Sequence, residues 1–256
     1  MSISKEILVN ITPQETRVAI LENGMVHEIY IERSRSKGLV GNIYKGRVAR
    51  VLPGMEAAFV EIGLERAAFL HVSDVAQARQ NGNGGTQHIS QVLREGQELL
   101  VQVIKDPLGT KGARLTTNIT IPSRYLVFMP NSDNVGVSSR IDSEEERERL
   151  RNMLLSHDER VEDTGYIIRT AAEVATTESI ASDVSYLNRV WDAVNFKAKD
   201  VPPGSVVHKD LPLYLRVLRD MVDEDLEKIR VDSRETYSIM KEFAQTYVPE
   251  VTDVIE

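Results

Sequence analysis

Two phenylalanines and several cations lie close together in the sequence between residues 45 and 114. Phe59 and Phe69 fall in adjacent apolar runs that a short turn separates, so we expect paired antiparallel strands that carry both rings on one face. Two such rings can stack nucleic-acid bases, and each stacked base contributes about 1–3 kcal/mol whatever its identity. Cations beside this platform can bind the phosphates of the same strand. The cations are Lys45, Arg47, Arg50, Lys105, Lys111 and Arg114.

A barrel core is the alternative place for both rings, because a phenylalanine in a strand is more often buried than exposed. Alternation along the strand favours the outer face. Val60 follows Phe59 and is apolar, so it can take the inner face and leave the ring pointing outward. We therefore predict a solvent-facing platform made by Phe59 and Phe69.

A second candidate site is the dipeptide Arg169-Thr170, which ends the apolar run that begins at Gly165. A guanidinium can bind two phosphate oxygens at once, and a neighbouring hydroxyl adds another donor. At the end of a strand both side chains can point at one anion. An Arg-Thr pair is most often an ordinary surface feature, so by itself this dipeptide is weak evidence for an anion site.

The chain around the two phenylalanines has the pattern of a small closed β-barrel. Five short apolar runs are separated by Gly and Pro, and closing such a sheet removes edges that would pair with other chains. The five runs are Gly41–Leu52, Ala57–Gly63, Ala67–Val72, Gly96–Ile104 and Ala113–Thr117.

The segments on either side of the barrel predict a mixed α+β fold. Residues 1–32 read as three antiparallel strands, with Asn23-Gly24 as a hairpin turn. No helix follows directly to cover this sheet, so we expect the barrel to be inserted into a domain that is completed later. After residue 118 we predict short strands, a helix with a capping box at Ser143 and Glu146, and a long helix from about residue 179 to 197. From about residue 213 we predict helix, with Leu226 and Ile229 on its apolar side.

Composition bounds the class of protein. The 256 residues suffice for two or three compact units, and the net charge of −8 means that a nucleic-acid site must be local. Cysteine is absent, which excludes disulfides and cysteine-bound zinc within this chain and agrees with the reducing cytoplasm. We find no apolar run near the ~20 residues of a membrane span and no export leader, so we predict no membrane partner.

No cluster of carboxylates with the character of a metal-dependent active site is evident. The acids between residues 220 and 227 are interleaved with Arg216, Arg219 and Lys228, which is typical of a solvated, salt-bridged helix face. Asp232 is a faint candidate. We therefore assign no catalytic residue and no metal ligand.

Three motifs resemble the RNA-binding barrel of the ribonuclease E/G family. They are Asn42–Gly46, Ala57–Val60 and Lys105–Gly112, and the similarity runs over nearly the whole chain. The resemblance implies a ribonuclease-H-like domain, residues 1–37 and 213–256, that is split by two insertions. These are a five-stranded OB-type RNA-binding barrel, residues 38–117, and an α/β domain that senses the RNA 5′ end, residues 118–212.

By the same resemblance, Arg169 and Thr170 belong to a pocket for the 5′-monophosphate of RNA, with Arg140 nearby and Val127 and Ser123 in its lining. One departure is visible, because Glu173-Val174-Ala175 stands where the family often has glycine. This adds a carboxylate close to the predicted phosphate site.

The resemblance also implies what the whole protein does. It is expected to be a cytoplasmic, single-strand-specific, Mg²⁺-dependent endoribonuclease of rRNA maturation and mRNA decay, and a homodimer or larger oligomer. The family's catalytic aspartates lie on a later DNase-I-like domain, beyond which a cysteine pair shares zinc between subunits. The chain stops at Glu256, so we expect an RNA-gripping portion that is inactive alone.

Two other functions remain open on the residues alone. The barrel also suits a non-enzymatic RNA-binding module of a translation or ribosome-assembly factor. A purely structural oligomerisation domain would show no salt-dependent RNA binding.

Overall fold

The computed structural model describes residues 4–36, 38–79, 87–156, 164–222 and 225–256. The strands are β1 Lys5–Ile11, β2 Glu15–Glu22, β3 Met25–Arg33, β4 Ile43–Leu52, β5 Ala57–Glu61, β6 Ala68–His71, β7 Glu98–Lys105, β8 Arg114–Thr116, β9 Ile121–Pro122, β10 Leu126–Met129, β11 Val135–Val137, β12 Gly165–Ile168, β13 Ser205–His208 and β14 Leu226–Val231. The α-helices are α1 Ile89–Val92, α2 Glu144–Leu155, α3 Thr177–Asp200, α4 Leu213–Asp220 and α5 Arg234–Tyr247. The chain forms two compact units, Leu39–Asp210 and a unit made of Met1–Gly38 with Leu211–Glu256.

The discontinuous unit is built on one four-stranded sheet in the order β14-β1-β2-β3. β1 pairs antiparallel with β2 and parallel with β14, so residues from both ends of the chain share the sheet. Asn23 and Gly24 both have positive φ, as a two-residue hairpin turn requires. The barrel is therefore an insertion into this domain, and the predicted α+β class is confirmed.

One element of this unit differs from the sequence prediction. Leu226 and Ile229, predicted on a helix, lie in strand β14, where Ile229 is fully buried opposite Ile7. Apolar residues three apart suit a helix face, but β14 instead pairs with β1 as the parallel edge strand of the sheet, and both Leu226 and Ile229 are buried there. Asp225 and Glu227 thus lie beside or in a strand, and Asp223 and Glu224 are outside the described residues.

The barrel is closed by five strands, as predicted. The order is β4-β5-β6-β8-β7, and β7 pairs back onto β4. Its interior is filled by fully buried Val60, Leu70, Val101 and Leu115. Gly46 also faces inward, where an added Cβ would lie 2.6 Å from a methyl of Val60, so only glycine fits there without displacing the core.

The third sheet has the order β11-β12-β10-β9 and is packed against α3. The rings of Phe128 and Tyr166 contact each other in its core at a tilt of 54°, with centroids 5.3 Å apart, and the ring of Trp191 on α3 lies 6.1 Å from that of Phe128. Ser143 caps α2 by accepting from the amide of Glu146, as predicted. The reciprocal half of the predicted capping box is replaced, because the Glu146 carboxylate pairs with Arg149.

After α3 the chain returns to the barrel. β13 pairs with the first residues of β4, and the amide of Gly204 donates to the carbonyl of Lys45 at 2.7 Å. Gly63 and Gly204 meet so closely that a Cβ on Gly63 would lie 2.1 Å from the Gly204 carbonyl oxygen. None of the helices in the described ranges has the length and apolarity that crossing a bilayer would take.

Candidate nucleic-acid interface

A row of aromatic and cationic residues crosses the outer face of the barrel. Phe59 of β5 lies in register with Arg50 of β4 on one side and with Phe69 of β6 on the other. Phe69 is in register with Arg114 of β8, which in turn pairs with Lys105 of β7. Alternation places both rings on the outside, because the residues that flank them, Ala58, Val60, Ala68 and Leu70, are fully buried. Of the three cations, Arg50 and Lys105 are exposed and Arg114 is half-buried.

The two rings form a contiguous surface. Their centroids are 6.2 Å apart with an interplanar angle of 67°, an edge-to-face contact. Phe59 is 36% exposed and Phe69 is half-buried, so the alternative of two core phenylalanines is wrong. The ring of His71 lies beside Phe69 at 6.4 Å and 30°, which extends the surface by a third ring that the sequence reading missed.

The cations of this face divide into those held by carboxylates and those that are not. Arg114 is bound by Asp74 through Nε and Nη2 at 3.0 and 2.8 Å. Arg50 and Lys105 are exposed and make no side-chain hydrogen bond or ion pair with any other described residue. These two side chains, at opposite ends of the row, carry charge that a phosphate can use directly.

Lys45 and Arg47 are less available than the sequence suggested. Arg47 donates to Glu98 at 3.1 Å, and the Lys45 ammonium lies 3.4 Å from the same carboxylate and donates to the Val201 carbonyl at 3.0 Å. The hydrogen bond from Arg47, aided by Lys45, lowers the pKa of the exposed Glu98 carboxyl, although partial desolvation opposes the shift. Glu98 faces both cations from the neighbouring strand β7, a pairing that only the closed barrel creates.

Lys111 pairs with Leu108 to close a tight hairpin turn that ends beside the row. The backbones of Leu108 and Lys111 exchange two hydrogen bonds, and Arg66 donates to the carbonyl of Gly109 within the turn. Gly112 then passes so close to β6 that an added Cβ would lie 2.1 Å from the Ala67 carbonyl oxygen. The hairpin is thereby fixed against the strand that carries Phe69, with the Lys111 side chain exposed.

The second candidate site lies where two parallel strands end. β11 and β12 run parallel, so the residues that follow them emerge at one edge of the sheet. Arg140 follows β11 and Arg169 follows β12, and the amide of Ser138 bonds to the carbonyl of Ile168 at 2.8 Å to hold the two segments together. Two predicted phosphate ligands, distant in sequence, therefore share one edge.

The guanidinium of Arg169 is positioned by carbonyl oxygens. Nη1 donates to the carbonyls of Ser123 and Arg124, the latter at 3.2 Å, and the Arg169 amide donates to Tyr125 at 2.8 Å. No carboxylate of the described residues forms an ion pair with it. Carbonyl dipoles orient the fork without cancelling its charge, which suits the capture of an anion.

The other predicted pocket residues have different surroundings. Thr170 begins a short 3₁₀ turn directly after Arg169, and its half-buried hydroxyl makes no hydrogen bond to the described residues. Val127 is half-buried on β10, and Arg140 is exposed. Ser123 is fully buried and its hydroxyl donates to Asp183 at 2.6 Å, so its side chain faces the interior, and its place in the pocket lining stays a prediction.

Asp183 is a residue that sequence analysis missed. It lies on α3 among the buried residues Ile180, Val184 and Leu187, and it is only 9% exposed. An acid on the apolar face of an otherwise amphipathic helix was the available signal, since buried carboxylates are rare unless they have partners.

The described residues hold no group of His, Asp and Glu side chains that could bind a metal ion. Asp232, the faint candidate, is engaged in its own unit: one oxygen accepts from the Asn10 amide group at 2.5 Å and the other from the Ile11 backbone at 2.9 Å. Its carboxylate is used to join β1 to the end of β14, so it offers no metal site there.

Two segments of the chain match known protein families, and nearly the whole chain is similar to known ribonucleases. Residues 39–117 match the S1 RNA binding domain, and residues 120–256 match the ribonuclease E/G family. Ribonuclease G of Escherichia coli (strain K12) is 54% identical over 98% of this chain and 52% of its own length, and that of Haemophilus influenzae is 49% identical over 97% and 51%. Ribonuclease E of Nostoc is 37% identical over 93% of this chain and 34% of its own length.

The chain spans about half the length of its ribonuclease G relatives, and it is more similar to them than to the ribonuclease E of Nostoc. The S1 match and the ribonuclease E/G match together cover the chain from residue 39 to residue 256 except for residues 118 and 119, and the second match alone covers more than half of the chain. The chain belongs to the ribonuclease E/G family.

Proposed function

We propose that this chain is the RNA-gripping and 5′-end-sensing portion of an endoribonuclease of the ribonuclease G type. A single-stranded RNA stacks two bases on Phe59 and Phe69, while Arg50, Lys105 and Lys111 hold its phosphates. Arg169, with Thr170 and Arg140, receives the 5′-monophosphate. The observation that carries the proposal is the carbonyl-only support of Arg169, which leaves its charge for a ligand.

The chemistry of the RNA end explains why this pocket would discriminate. A phosphate monoester carries about −1.5 to −2 charges at pH 7 and three acceptor oxygens, whereas a 5′-hydroxyl carries none. A hydrogen bond to a charged group contributes about 1.5–3 kcal/mol, so losing the guanidinium corresponds to about 10-fold to 150-fold in affinity. That loss should fall on monophosphorylated RNA alone.

The test compares two 3′-labelled single-stranded RNAs that differ only in a 5′-monophosphate or 5′-hydroxyl end. We expect the chain to prefer the monophosphate, Arg169→Ala to abolish the preference, and Arg169→Lys to restore part of it, since lysine supplies charge without the fork. Arg94→Ala, which removes an exposed cation outside both sites, is the matched control and should leave the ratio of affinities unchanged.

Other outcomes identify the alternatives. Salt-dependent binding without any preference between the two ends would favour a non-enzymatic RNA-binding module. Absence of salt-dependent RNA binding would favour a structural oligomerisation domain.

Cleavage belongs, in this proposal, to the whole protein. The described residues do not fit a Mg²⁺ or Zn²⁺ site, so we assign no step through either ion to them. We propose that Mg²⁺-dependent hydrolysis, zinc-linked oligomerisation and the cytoplasmic roles in rRNA maturation and mRNA decay require residues beyond this set. The purified chain should therefore bind RNA without cutting it, and Mg²⁺-dependent cleavage by it would contradict this division.

A further inference from the structure

A buried carboxylate lies directly behind the proposed phosphate pocket. Oδ2 of Asp183 accepts three hydrogen bonds from one turn of the chain: from Ser123 Oγ at 2.6 Å, from the Tyr125 amide at 2.7 Å and from the Leu126 amide at 3.1 Å. Placing a charge in this interior is costly, and burial raises the pKa of Asp183, although the hydrogen bonds oppose the shift. The buried carboxylate in turn fixes the positions of its three hydrogen-bond donors.

The turn that Asp183 holds is the turn that holds Arg169. The carbonyls of Ser123 and Arg124 accept from the Arg169 guanidinium, and the carbonyl of Tyr125 accepts from the Arg169 amide. The peptide unit between Arg124 and Tyr125 joins both sides, since its N–H points at Asp183 and its C=O at Arg169. The dipole of this one peptide is thus oriented by a carboxylate at its N–H end and by a guanidinium at its C=O end.

This arrangement differs from a direct Asp–Arg pair in its consequence for a ligand. A direct ion pair would cancel the guanidinium charge, whereas an intervening peptide fixes the orientation of Arg169 and leaves its outer nitrogens for an anion. The carboxylate of Asp183 is buried, so it cannot itself approach the phosphate.

We propose that Asp183 is a positioning residue of the 5′-phosphate pocket, acting on Arg169 through the Ser123–Leu126 turn. This inference rests on the proposed function of the pocket. If Asp183 acts in this way, helix α3 affects the preference for 5′-monophosphate RNA although α3 does not line the pocket.

The experiment measures the ratio of affinities for 5′-monophosphate and 5′-hydroxyl RNA in Asp183→Asn, in Arg169→Ala and in the double variant, with Asp192→Asn on the exposed side of α3 as control. We expect Asp183→Asn to lower the ratio by about fivefold to tenfold without changing the affinity for hydroxyl RNA, the size of one ordinary hydrogen bond, because Asp183 acts on Arg169 only through the intervening turn. In the Arg169→Ala background the same change should have no further effect. A folded Asp183→Asn protein with the original ratio, or with equal losses for both RNAs, would overturn the inference.

A second measurement needs no RNA and separates this inference from the proposed function. The ¹⁵N–¹H signals of the Arg169 guanidinium should be resolved and slow to exchange in the unmodified chain and should broaden in Asp183→Asn. Should Asp183→Asn fail to fold, Ser123→Ala removes one donor and keeps the carboxylate; we expect a smaller loss of ratio, about twofold to threefold, and partial broadening. Guanidinium signals that neither change affects would refute positioning, and an unmodified chain without end preference would refute the proposed function.

Discussion

Truncation of Phe59 and Phe69 is the most direct test of the proposed RNA-binding face of the barrel. Each of Phe59→Ala and Phe69→Ala should weaken binding of single-stranded RNA by about fivefold to 150-fold, the equivalent of about 1–3 kcal/mol for one stacked base. The larger loss is expected for Phe59, because its ring is 36% exposed while Phe69 is half-buried. Both rings lie outside the packed interior, so the barrel should still fold.

The contact between the rings makes the two changes interdependent. At a centroid distance of 6.2 Å, an edge-to-face pair contributes about 0.5–1.5 kcal/mol to the folded chain beyond its buried area. Removing either ring also removes this contact and loosens the orientation of the other. The effect of Phe59→Ala,Phe69→Ala on RNA affinity should therefore differ from the sum of the single effects by at least about 0.5 kcal/mol.

Fluorescence anisotropy with a 3′-labelled RNA, repeated at several salt concentrations, provides the measurement. Phe196→Ala is the matched control, because Phe196 is 71% exposed on α3 and lies outside the row. The stacking variants should lower affinity at every salt concentration and leave the salt slope unchanged, since no cation is lost. Full affinity in folded Phe59→Ala, or a loss no larger than that of the control, would refute base stacking on this face.

Three further outcomes follow from the structure. Gly112→Ala should lower the melting temperature and weaken RNA binding, because the new Cβ meets backbone 2.1 Å away and displaces the hairpin with Lys111, whereas Gly54→Ala adds its Cβ in open space and should change neither. Burial raises the pKa of Asp183 above its ordinary 3.8, so the folded chain keeps this proton to higher pH than the unfolded chain does. The contribution of Asp183 to the free energy of unfolding should therefore fall as the pH rises above 3.8, which urea titrations at several pH values would show. In Asp183→Asn this pH-dependent decrease should be absent. Glu173→Gln should strengthen binding of 5′-monophosphate RNA by up to about threefold at low salt, with equal affinities of the two proteins contradicting a repulsive role.

Local patterns predicted the barrel and its outward rings because strands have a strict period of two. Once Val60 was assigned to the inside, Phe59 had to point outward, and the register with Phe69 followed from a short turn. The same reasoning gave Arg169 and Thr170 a place at the end of a strand, now seen to be β12.

Features that depend on pairing between residues far apart in the chain could not be predicted from the sequence. Leu226 and Ile229 were assigned to a helix because a parallel strand of this length has no alternation to mark it, and its partner β1 lies at the other end of the chain. Glu98 faces Lys45 and Arg47 only because β7 closes the barrel onto β4. The hydrogen bonds between Asp183 and the turn that binds Arg169 form only when α3 is packed on the third sheet, so the sequence alone could not predict a role for this acid.

The return of β13 to β4 has a consequence for the length of RNA that the proposed sites can bind together. Because this strand and the abutting glycines Gly63 and Gly204 join the segment after α3 to the barrel, the stacking rings and the proposed phosphate pocket belong to the same compact unit. Two binding sites in one compact unit lie a fixed distance apart, and this distance sets the shortest RNA that can occupy both. An oligonucleotide shorter than the gap can occupy one of them only, so affinity should rise abruptly, not gradually, at the first length that reaches both.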